Sequence, residues 1–195
     1  MTGRILLVTA GYYPDSRGGA ARQAFILANA LARRGIDVTI VAPTIDPDAP
    51  ASEPADFGRI ERLHLPAYPN AGGRYVLSFL RWTRWFRARY APQVRDGTPI
   101  YVFHARLHAL GPALAARQAG APFLIKLGGG GEASDFAALR EKRYFYGKWV
   151  QDYLLRHTDR FVANGAQIER DLAALGVPPR RIGRASCRER VSSVV

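Results

Sequence analysis

The sequence predicts an α/β protein with a doubly wound parallel sheet in a single domain. Short apolar runs rich in branched residues are typical of buried strands, and they alternate with longer stretches whose apolar residues recur at helical spacing. Alternating strands and helices form right-handed crossovers and hence a parallel sheet. The predicted strands are 5–8, 38–41, 60–65, 100–103, 123–127 and 160–163. The predicted helices are 20–34, 74–90, 105–119, 136–157 with a break at Gly147, and 166–175.

The first strand, glycine loop and helix, within residues 4–42, organise the rest of the chain. Gly18 and Gly19 lie where the helix begins and its backbone N–H groups are unpaired. Without a Cβ in the way, a phosphate or a sugar hydroxyl can approach these groups. A tight turn with positive φ is the alternative explanation for both glycines. The GxGxxG pattern is absent and no acidic residue directly follows strand 38–41, which argues against a nicotinamide dehydrogenase.

Two segments between the first and fourth strands are less regular. Residues 44–57 are rich in Pro, Ala and Asp without periodicity, and we expect an exposed loop. In strand 60–65 the apolar Ile60, Leu63 and Leu65 alternate with the polar Glu61, Arg62 and His64, a pattern that fits a third strand. Helix 74–90 is expected to bury one face, which carries Val76, Phe79, Thr83, Phe86 and Tyr90.

The chain is strongly basic, with a formal net charge of +12, and this favours an anionic partner. Arg81, Arg84 and Arg87 lie on helix 74–90, and one interpretation is a solvated basic face. The sharper interpretation is an anionic membrane surface on which these arginines rest, with Trp85 as interfacial anchor. No nucleic acid is expected as a partner, because no zinc-finger, homeodomain or RNP pattern is present.

The remaining composition points to a reducing compartment. Cys187 is the only cysteine, so no internal disulfide is possible. The sequence shows no signal peptide and no apolar run near the roughly 20 residues that a spanning helix needs. We therefore expect a cytoplasmic protein, with a peripheral position at the inner face of the membrane as a further option.

Polar residues and glycines follow several strands at their carboxyl ends, which share one edge of a parallel sheet. Such an edge suits a phosphorylated or sugar-like ligand. Its predicted members are Tyr13, Arg17, Gly18, Gly19, Arg22, His104, Arg106, Gly128, Gly129, Gly130, Gly131, Glu132 and Asn164. Alternatives stay open: His104 as a core-edge histidine bound to a carbonyl, Glu132 as a helix stabiliser, and 128–131 as a flexible turn. No HExxH motif, cysteine pair or acidic cluster is present, so no metal and no other cofactor is expected.

Several phrases of the sequence resemble one enzyme family. The first block is ILLVTAGYYPDSRGGAARQAFILANALARRGIDVTIVAP, with a Gly-Gly loop and a helix that ends in RGIDV. IYVFHA, FLIKLGGGGE and TDRFVANGAQIERDLAALGVPPRRI follow, the last closing in a G-V-P-x-x-R-I phrase. Together they resemble the N-terminal half of a GT-B glycosyltransferase of family 4, from Arg4 to about Ile182. The resemblance implies a Rossmann-like domain that binds the acceptor and faces a second domain.

The resemblance also implies an activity. Such enzymes transfer a sugar from a nucleotide sugar to a glycan or lipid-linked acceptor, retain the anomeric configuration and usually use no metal. Gly18 and Gly19 match the loop that approaches the donor phosphates, and His104 matches a histidine near the reacting sugar. Residues 128–132 match a loop that borders acceptor and donor. Arg17 and Arg22 suggest an anionic or lipid-linked acceptor. Asn164 stands where the family often has Ser.

The end of the chain departs from the family. Residues 1–182 are interpreted as the acceptor-binding domain, whereas IGRASCRERV in the tail resembles translated sequencing-adapter DNA. We therefore expect 183–195 to be a non-native, disordered tail and the donor-binding domain to be absent, so that the fragment alone is inactive. Two other functions remain open from the residues: a basic membrane- or nucleic-acid-binding module, or another nucleotide-binding α/β enzyme.

Overall fold

An eight-stranded sheet in the order β3-β4-β2-β1-β5-β6-β7-β8 forms the centre of the protein. The computed structural model describes residues 3–13, 16, 18–69, 75–131, 134–141 and 146–184. Neighbouring strands are parallel except for the pair β3 and β4. The strands are β1 (Arg4–Val8), β2 (Asp37–Thr44), β3 (Ser52–Ala55), β4 (Gly58–His64), β5 (Ile100–Phe103), β6 (Phe123–Lys126), β7 (Arg160–Ala163) and β8 (Ile182–Arg184). The predicted doubly wound α/β fold is confirmed.

Helices cover both faces of the sheet. They are α1 (Gly19–Ala32), α2 (Val76–Arg95), α3 (Leu110–Ala119), α4 (Asp135–Arg140), α5 (Tyr146–His157) and α6 (Ala166–Ala174). Alternation along β1 separates two cores, because successive side chains of a strand point to opposite faces. Leu7 packs with the alanines of α1, whereas Leu6 and Val8 pack with residues of α2 to α6. Each ligand-edge loop is therefore held between the sheet and a helix.

Two strands were not expected from the sequence. Ser52–Ala55 lies in the segment predicted as a loop and pairs antiparallel with β4. Its sequence, SEPA, lacks an apolar alternation because it is an edge strand with little buried surface. Ile182–Arg184 pairs with β7, so the first two residues of the predicted tail extend the sheet. The rest of that tail, 185–195 with Cys187, lies outside the described residues.

Three predicted helices have different bounds. α2 continues five residues beyond Tyr90, through Pro92, to Arg95. The predicted helix 105–119 begins as a 3₁₀ turn at Leu107–Ala109 and becomes α-helical at Leu110. The segment predicted as 136–157 divides into α4 and α5 before Tyr146, and Gly147 lies inside α5 rather than at the break. The oxygen of Ser134 accepts from the Ala137 N–H at 3.0 Å and caps α4.

The buried face of α2 differs from the predicted one. Trp82, Phe86 and Tyr90 are fully buried, whereas Val76 is 44% exposed. Thr83 lies at the contact between α2 and α3, because a Cβ added to Gly111 of α3 would stand 3.0 Å from the Thr83 Cα. Trp82 was missed because a tryptophan among arginines reads as a surface residue. Its indole N–H donates to the His108 carbonyl at 2.8 Å, which satisfies its polar atom inside the core.

Glu61 and Arg62 of β4 are buried, although both side chains are charged. The Glu61 carboxylate accepts from both Arg89 nitrogens, at 3.1 and 3.2 Å, and from the Tyr90 hydroxyl at 2.7 Å. Burial and this hydrogen bond raise the pKa of the Tyr90 phenol. The sequence did not show these partners because they lie on α2, far along the chain. A buried carboxylate is stable here because three hydrogen bonds satisfy its oxygens.

We expect Glu61→Ala to lower the free energy of unfolding by about 2 kcal/mol or more, because it leaves Tyr90 buried without its acceptor. Urea unfolding followed by circular dichroism measures the change. Arg59→Ala is the matched control, since Arg59 is 54% exposed and 4.0 Å from the same carboxylate, and it should cost less than about 0.5 kcal/mol. Equal losses in the two variants would contradict a structural role for the buried contacts.

Candidate functional site

The carboxylate of Asp135 binds groups from two loops at the carboxyl edge of the sheet. It lies at the start of α4 and is 1% exposed. After β5, the His104 Nδ1 approaches it at 3.0 Å, the Arg106 Nε donates at 3.1 Å and the Ala105 N–H donates at 3.3 Å. After β6, the Gly128 N–H donates at 2.9 Å. Asp135 therefore joins the predicted histidine, arginine and glycine loop into one cluster.

This cluster favours an ionised Asp135. Burial opposes the charge, but hydrogen bonds from His104, Gly128 and Arg106 outweigh it and hold the pKa of the Asp135 carboxyl below its usual value. An ionised carboxylate only accepts hydrogen bonds, so Nδ1 of His104 carries the hydrogen that it donates to Asp135. The other ring nitrogen, Nε2, is then the atom of His104 available to a ligand.

His104 has an unusual backbone, which the loop after β6 accommodates. Among the described residues other than glycine, His104 alone has a positive φ, which is 72°. Its ring lies beside Gly128, where a Cβ would stand 1.8 Å from the imidazole Cε1 and 2.1 Å from Nδ1. Only glycine at position 128 leaves room for the ring. A strained backbone kept in place by packing is typical of functional sites.

A second histidine has the structural role that was the alternative for His104. His108 is fully buried, and its Nε2 lies 2.9 Å from the Phe103 carbonyl oxygen. Burial, together with the nearby His104, lowers the pKa of His108 to about 3, so it stays neutral. His104 itself is bound to a carboxylate rather than to a carbonyl, and its side chain is 27% exposed. The core-edge explanation therefore applies to His108 and not to His104.

The glycine loop 128–131 is anchored at both ends. Gly128 donates to Asp135, and the Gly131 N–H donates to the Asp171 carboxylate of α6 at 2.7 Å. A Cβ on Gly130 would stand 3.0 Å from the Gln167 side chain. The loop is therefore packed against α6, which argues against the flexible-turn alternative. Asp135, Asp171 and Gln167 are site-supporting residues that the sequence analysis missed.

The glycines at the start of α1 have no folding requirement. Gly18 is extended, with φ −68° and ψ 172°, and Gly19 is not among the glycines with positive φ, so the tight-turn alternative is wrong. A Cβ on Gly19 would meet no atom of the described residues within 4 Å. Among the residues that the structure describes, no side chain caps the helix, and the Ser16 oxygen accepts from the Gly18 N–H at 3.4 Å. The start of α1 thus presents open backbone to the ligand edge.

The buried guanidinium of Arg62 fixes the loop between β1 and α1. It donates to the Tyr13 carbonyl at 2.8 and 3.2 Å, to the Pro50 carbonyl at 3.1 Å and to the Glu53 carboxylate at 2.6 Å. Burial and the neighbouring Tyr13 raise the pKa of the Tyr12 phenol to about 12, and Arg62 opposes the rise. Arg62 therefore attaches the loop that carries Tyr13 to β4, to Pro50 and to β3.

The structure brings most predicted ligand-edge residues to the carboxyl ends of β1, β5, β6 and β7, which are adjacent. Lys126, at the end of β6, donates to Gln23 in α1 and links the two sides of this edge. Arg22 is exposed on the first turns of α1, and Asn164 is exposed directly after β7. Arg17 and Glu132 lie outside the described residues, so their predicted roles stay predictions.

The basic helix is exposed along its arginines. Arg81, Arg84 and Arg87 are exposed, and Arg87 donates to Gln118 of α3 at 3.2 Å. Trp85 is half-buried, with ring centroids 5.6 Å from Trp82 and 5.7 Å from Tyr90. Trp85 therefore packs partly against the core, and its role as an interfacial anchor stays a prediction.

Within the described ranges, no group of three or more His, Cys, Asp or Glu side chains is placed to hold a metal ion. The expectation that no metal takes part stays a prediction. No helix in the described part of the chain combines the length and the apolar character needed to cross a membrane.

Comparison with known families identifies the class of protein. The glycosyl transferase 4-like domain matches residues 18–185, which include Gly18 and Gly19, the glycine loop 128–131, His104 and Asp135. The chain belongs to this glycosyltransferase family. The resemblance to GT-B glycosyltransferases that the sequence motifs indicated is confirmed.

Solved structures show the same fold at low identity. A sucrose-phosphate synthase from Thermosynechococcus elongatus is 19% identical with a TM-score of 0.61, over 94% of this chain and 86% of that one. A UDP-GlcNAc 2-epimerase from Methanocaldococcus jannaschii is 12% identical with a TM-score of 0.60, over 92% and 44%. The catalytic domain of starch synthase IV from Arabidopsis thaliana, bound to ADP and acarbose, is 11% identical with a TM-score of 0.57, over 94% and 51%.

The chain thus spans about half the length of the epimerase and starch synthase structures. No curated protein matches the sequence. Because the structural neighbours include both synthases and an epimerase, the fold alone does not select the reaction.

We expect Gly128→Ala to lower the free energy of unfolding by about 1–3 kcal/mol, because the added methyl group must displace the His104 ring. Thermal or urea unfolding measures the loss. Gly19→Ala adds the same methyl group in open space and should change stability by less than about 0.5 kcal/mol. A tolerated Gly128→Ala would show that His104 does not occupy the position described here.

Proposed function

We propose that the chain is the acceptor-binding domain of a retaining glycosyltransferase that moves a sugar from a nucleotide sugar to a glycan or lipid-linked acceptor. The family match supports the transferase activity. The observation that carries the assignment of the site is the Asp135 carboxylate, which joins His104, Arg106 and the glycine loop. The donor, the acceptor and the retention of configuration are parts of the proposal that rest on the resemblance.

The geometry supports a specific role for His104 in the proposed reaction. With Nδ1 donating to Asp135, the Nε2 lone pair can accept a hydrogen bond from a sugar hydroxyl. The positive φ and the packing against Gly128 fix the direction of the ring before the substrate binds. A preorganised acceptor loses little entropy when it orients the reacting sugar. We assign Arg106 to the acceptor side, because Asp135 holds its Nε and thereby its side-chain direction.

The glycines at the start of α1 are assigned to the donor phosphates. Gly18 and Gly19 present backbone without a Cβ, and the positive end of the helix dipole favours an anion. This loop and the His104 cluster follow adjacent strands, so both groups can reach one substrate. A cleft of this kind has two sides, and this chain supplies one of them. We therefore propose that the chain alone has negligible transferase activity.

The complete enzyme that contains this domain tests the proposal. We expect His104→Gln to lower kcat by about 10²-fold or more with a smaller effect on KM, because the lost hydrogen bond acts mainly in the transition state. Asp135→Asn should also lower kcat, because the His104 ring loses the carboxylate that orients it. Gln118→Ala, an exposed change on the far end of α3, is the control and should leave both constants unchanged.

Transfer is measured by release of the nucleoside diphosphate, and the anomeric configuration of the product by NMR. A product with the anomeric configuration of the donor agrees with the proposal. Inverted product would contradict the retaining mechanism. Unchanged turnover by His104→Gln would contradict the assigned site.

We also propose that one exposed face of the domain rests on an anionic membrane surface. On α2, Leu77 is 74% and Leu80 53% exposed, and the helical spacing places Arg84 and Arg87 on the same side. Burial raises the pKa of the Tyr153 phenol of α5, and the positive charges of Arg117 and Arg87 oppose this rise. The ring of Tyr153 lies 5.6 Å from that of Trp149, which is 53% exposed. Exposed leucine and tryptophan among arginines is the composition of an interfacial surface.

Vesicle co-sedimentation tests this surface. We expect the chain to bind vesicles of phosphatidylglycerol and phosphatidylcholine, and the double variant Arg81→Gln and Arg84→Gln to bind about 30-fold less, at about 1 kcal/mol per arginine. The double variant Arg33→Gln and Arg34→Gln removes the same charge at the end of α1 and should bind normally. Equal losses in the two variants, or equal binding to pure phosphatidylcholine, would contradict the proposal.

A further inference from the structure

An open groove of about 410 Å³ lies beside α1, apart from the His104 cluster. Phe57 and Ile60 of the β4 region line it, together with Phe25 and Asn29 of α1. The remaining contributors include Tyr13 at the loop after β1 and Asp56 at the turn between β3 and β4. The groove therefore leads away from the ligand edge along the outer flank of the helix.

The groove exists because the sheet is wider than the helix that covers it. Ala21, Ala24 and Ala28 pack α1 against the sheet, and α1 contacts β2, whereas β4 and β3 continue beyond it. The flank of α1 that faces β4 carries Phe25, which remains 47% exposed. Its ring is edge-on to that of Phe57, with centroids 6.2 Å apart. Two aromatic rings thus border an open space beside the helix.

Polar groups accompany these rings. Asn29 donates through Nδ2 to the Phe25 carbonyl at 2.8 Å, which orients the amide and leaves Oδ1 as an acceptor. Asp56 is exposed and adds a carboxylate. The mouth at Tyr13 is held in place by the buried Arg62. The groove is therefore preformed, largely apolar and equipped with a few hydrogen-bonding groups, as ligand sites are.

We propose that this groove binds a pyranose ring of an extended acceptor, beyond the sugar that reacts near His104. The inference rests on the proposed function. The C–H face of a pyranose packs on an aromatic ring, and its hydroxyls donate to carboxylate and amide oxygens, which is the set that the groove offers. The Asp56 carboxylate repels phosphates, so the groove selects a neutral sugar rather than an anionic headgroup or a nucleotide. Its mouth, at the loop after β1, adjoins the edge on which the acceptor lies.

An array of immobilised neutral oligosaccharides, with the corresponding monosaccharides beside them, tests the proposal on the chain as it is. We expect binding to at least one oligosaccharide and weaker binding to its monosaccharides. For the best binder, calorimetry should show about tenfold weaker affinity in Phe25→Ala and near-normal affinity in Phe25→Tyr. Asp56→Asn should also weaken binding. Ile26→Ala is the control, because Ile26 is 54% exposed on the same helix and does not line the groove.

The proposal is overturned if no oligosaccharide binds more tightly than its monosaccharides, or if Ile26→Ala weakens binding as much as Phe25→Ala. These outcomes are separate from a failure of the proposed function, which is measured as turnover by the complete enzyme. His104→Gln should lower that turnover by about 10²-fold or more while leaving oligosaccharide binding in the groove within about twofold.

Discussion

One buried carboxylate determines the arrangement of the candidate site. Asp135 accepts from the His104 ring, the Arg106 guanidinium and the backbone of Ala105 and Gly128, and these groups belong to two different loops. A buried charge is stable only when such donors surround it, and the donors are ordered only while the charge is present. This packing holds His104 at a positive φ and requires that position 128 has no side chain.

Two other charged side chains, the half-buried Asp171 and the buried Arg62, follow the same principle. Asp171 holds the far end of the glycine loop at Gly131, and Arg62 holds the loop after β1 through the Tyr13 carbonyl. The loops of the ligand edge are therefore fixed by charged side chains from neighbouring elements. These contacts hold the two loops in place while the backbone of Gly18 and Gly19 remains open at the ligand edge. A site of this design is organised before a ligand arrives.

The sequence was informative where a signal is local. Buried strands such as Ile100–Phe103 are short apolar runs, and the position of His104 after one of them follows directly from the order of elements. Ser52–Ala55 was missed because a polar edge strand is defined by its pairing with β4. The roles of Asp135, Glu61 and Arg62 were missed because their partners lie 28 to 49 residues away or in another loop. A carboxylate directly after a glycine run and a Ser cap was the one available signal for Asp135.

The pH dependence of stability tests the central role of the Asp135 charge most directly. Its carboxyl pKa is lowered in the folded protein from the ordinary value of 3.8, so ionised Asp135 stabilises the fold above that pH. This contribution is lost as the pH falls through the lower, folded pKa. The measurement is the difference in unfolding free energy between the natural protein and Asp135→Asn, from pH 6 to pH 2. We predict a constant difference above about pH 5 that shrinks as the solution is acidified further. A difference that is independent of pH would contradict an ionised Asp135 as the group that assembles the site.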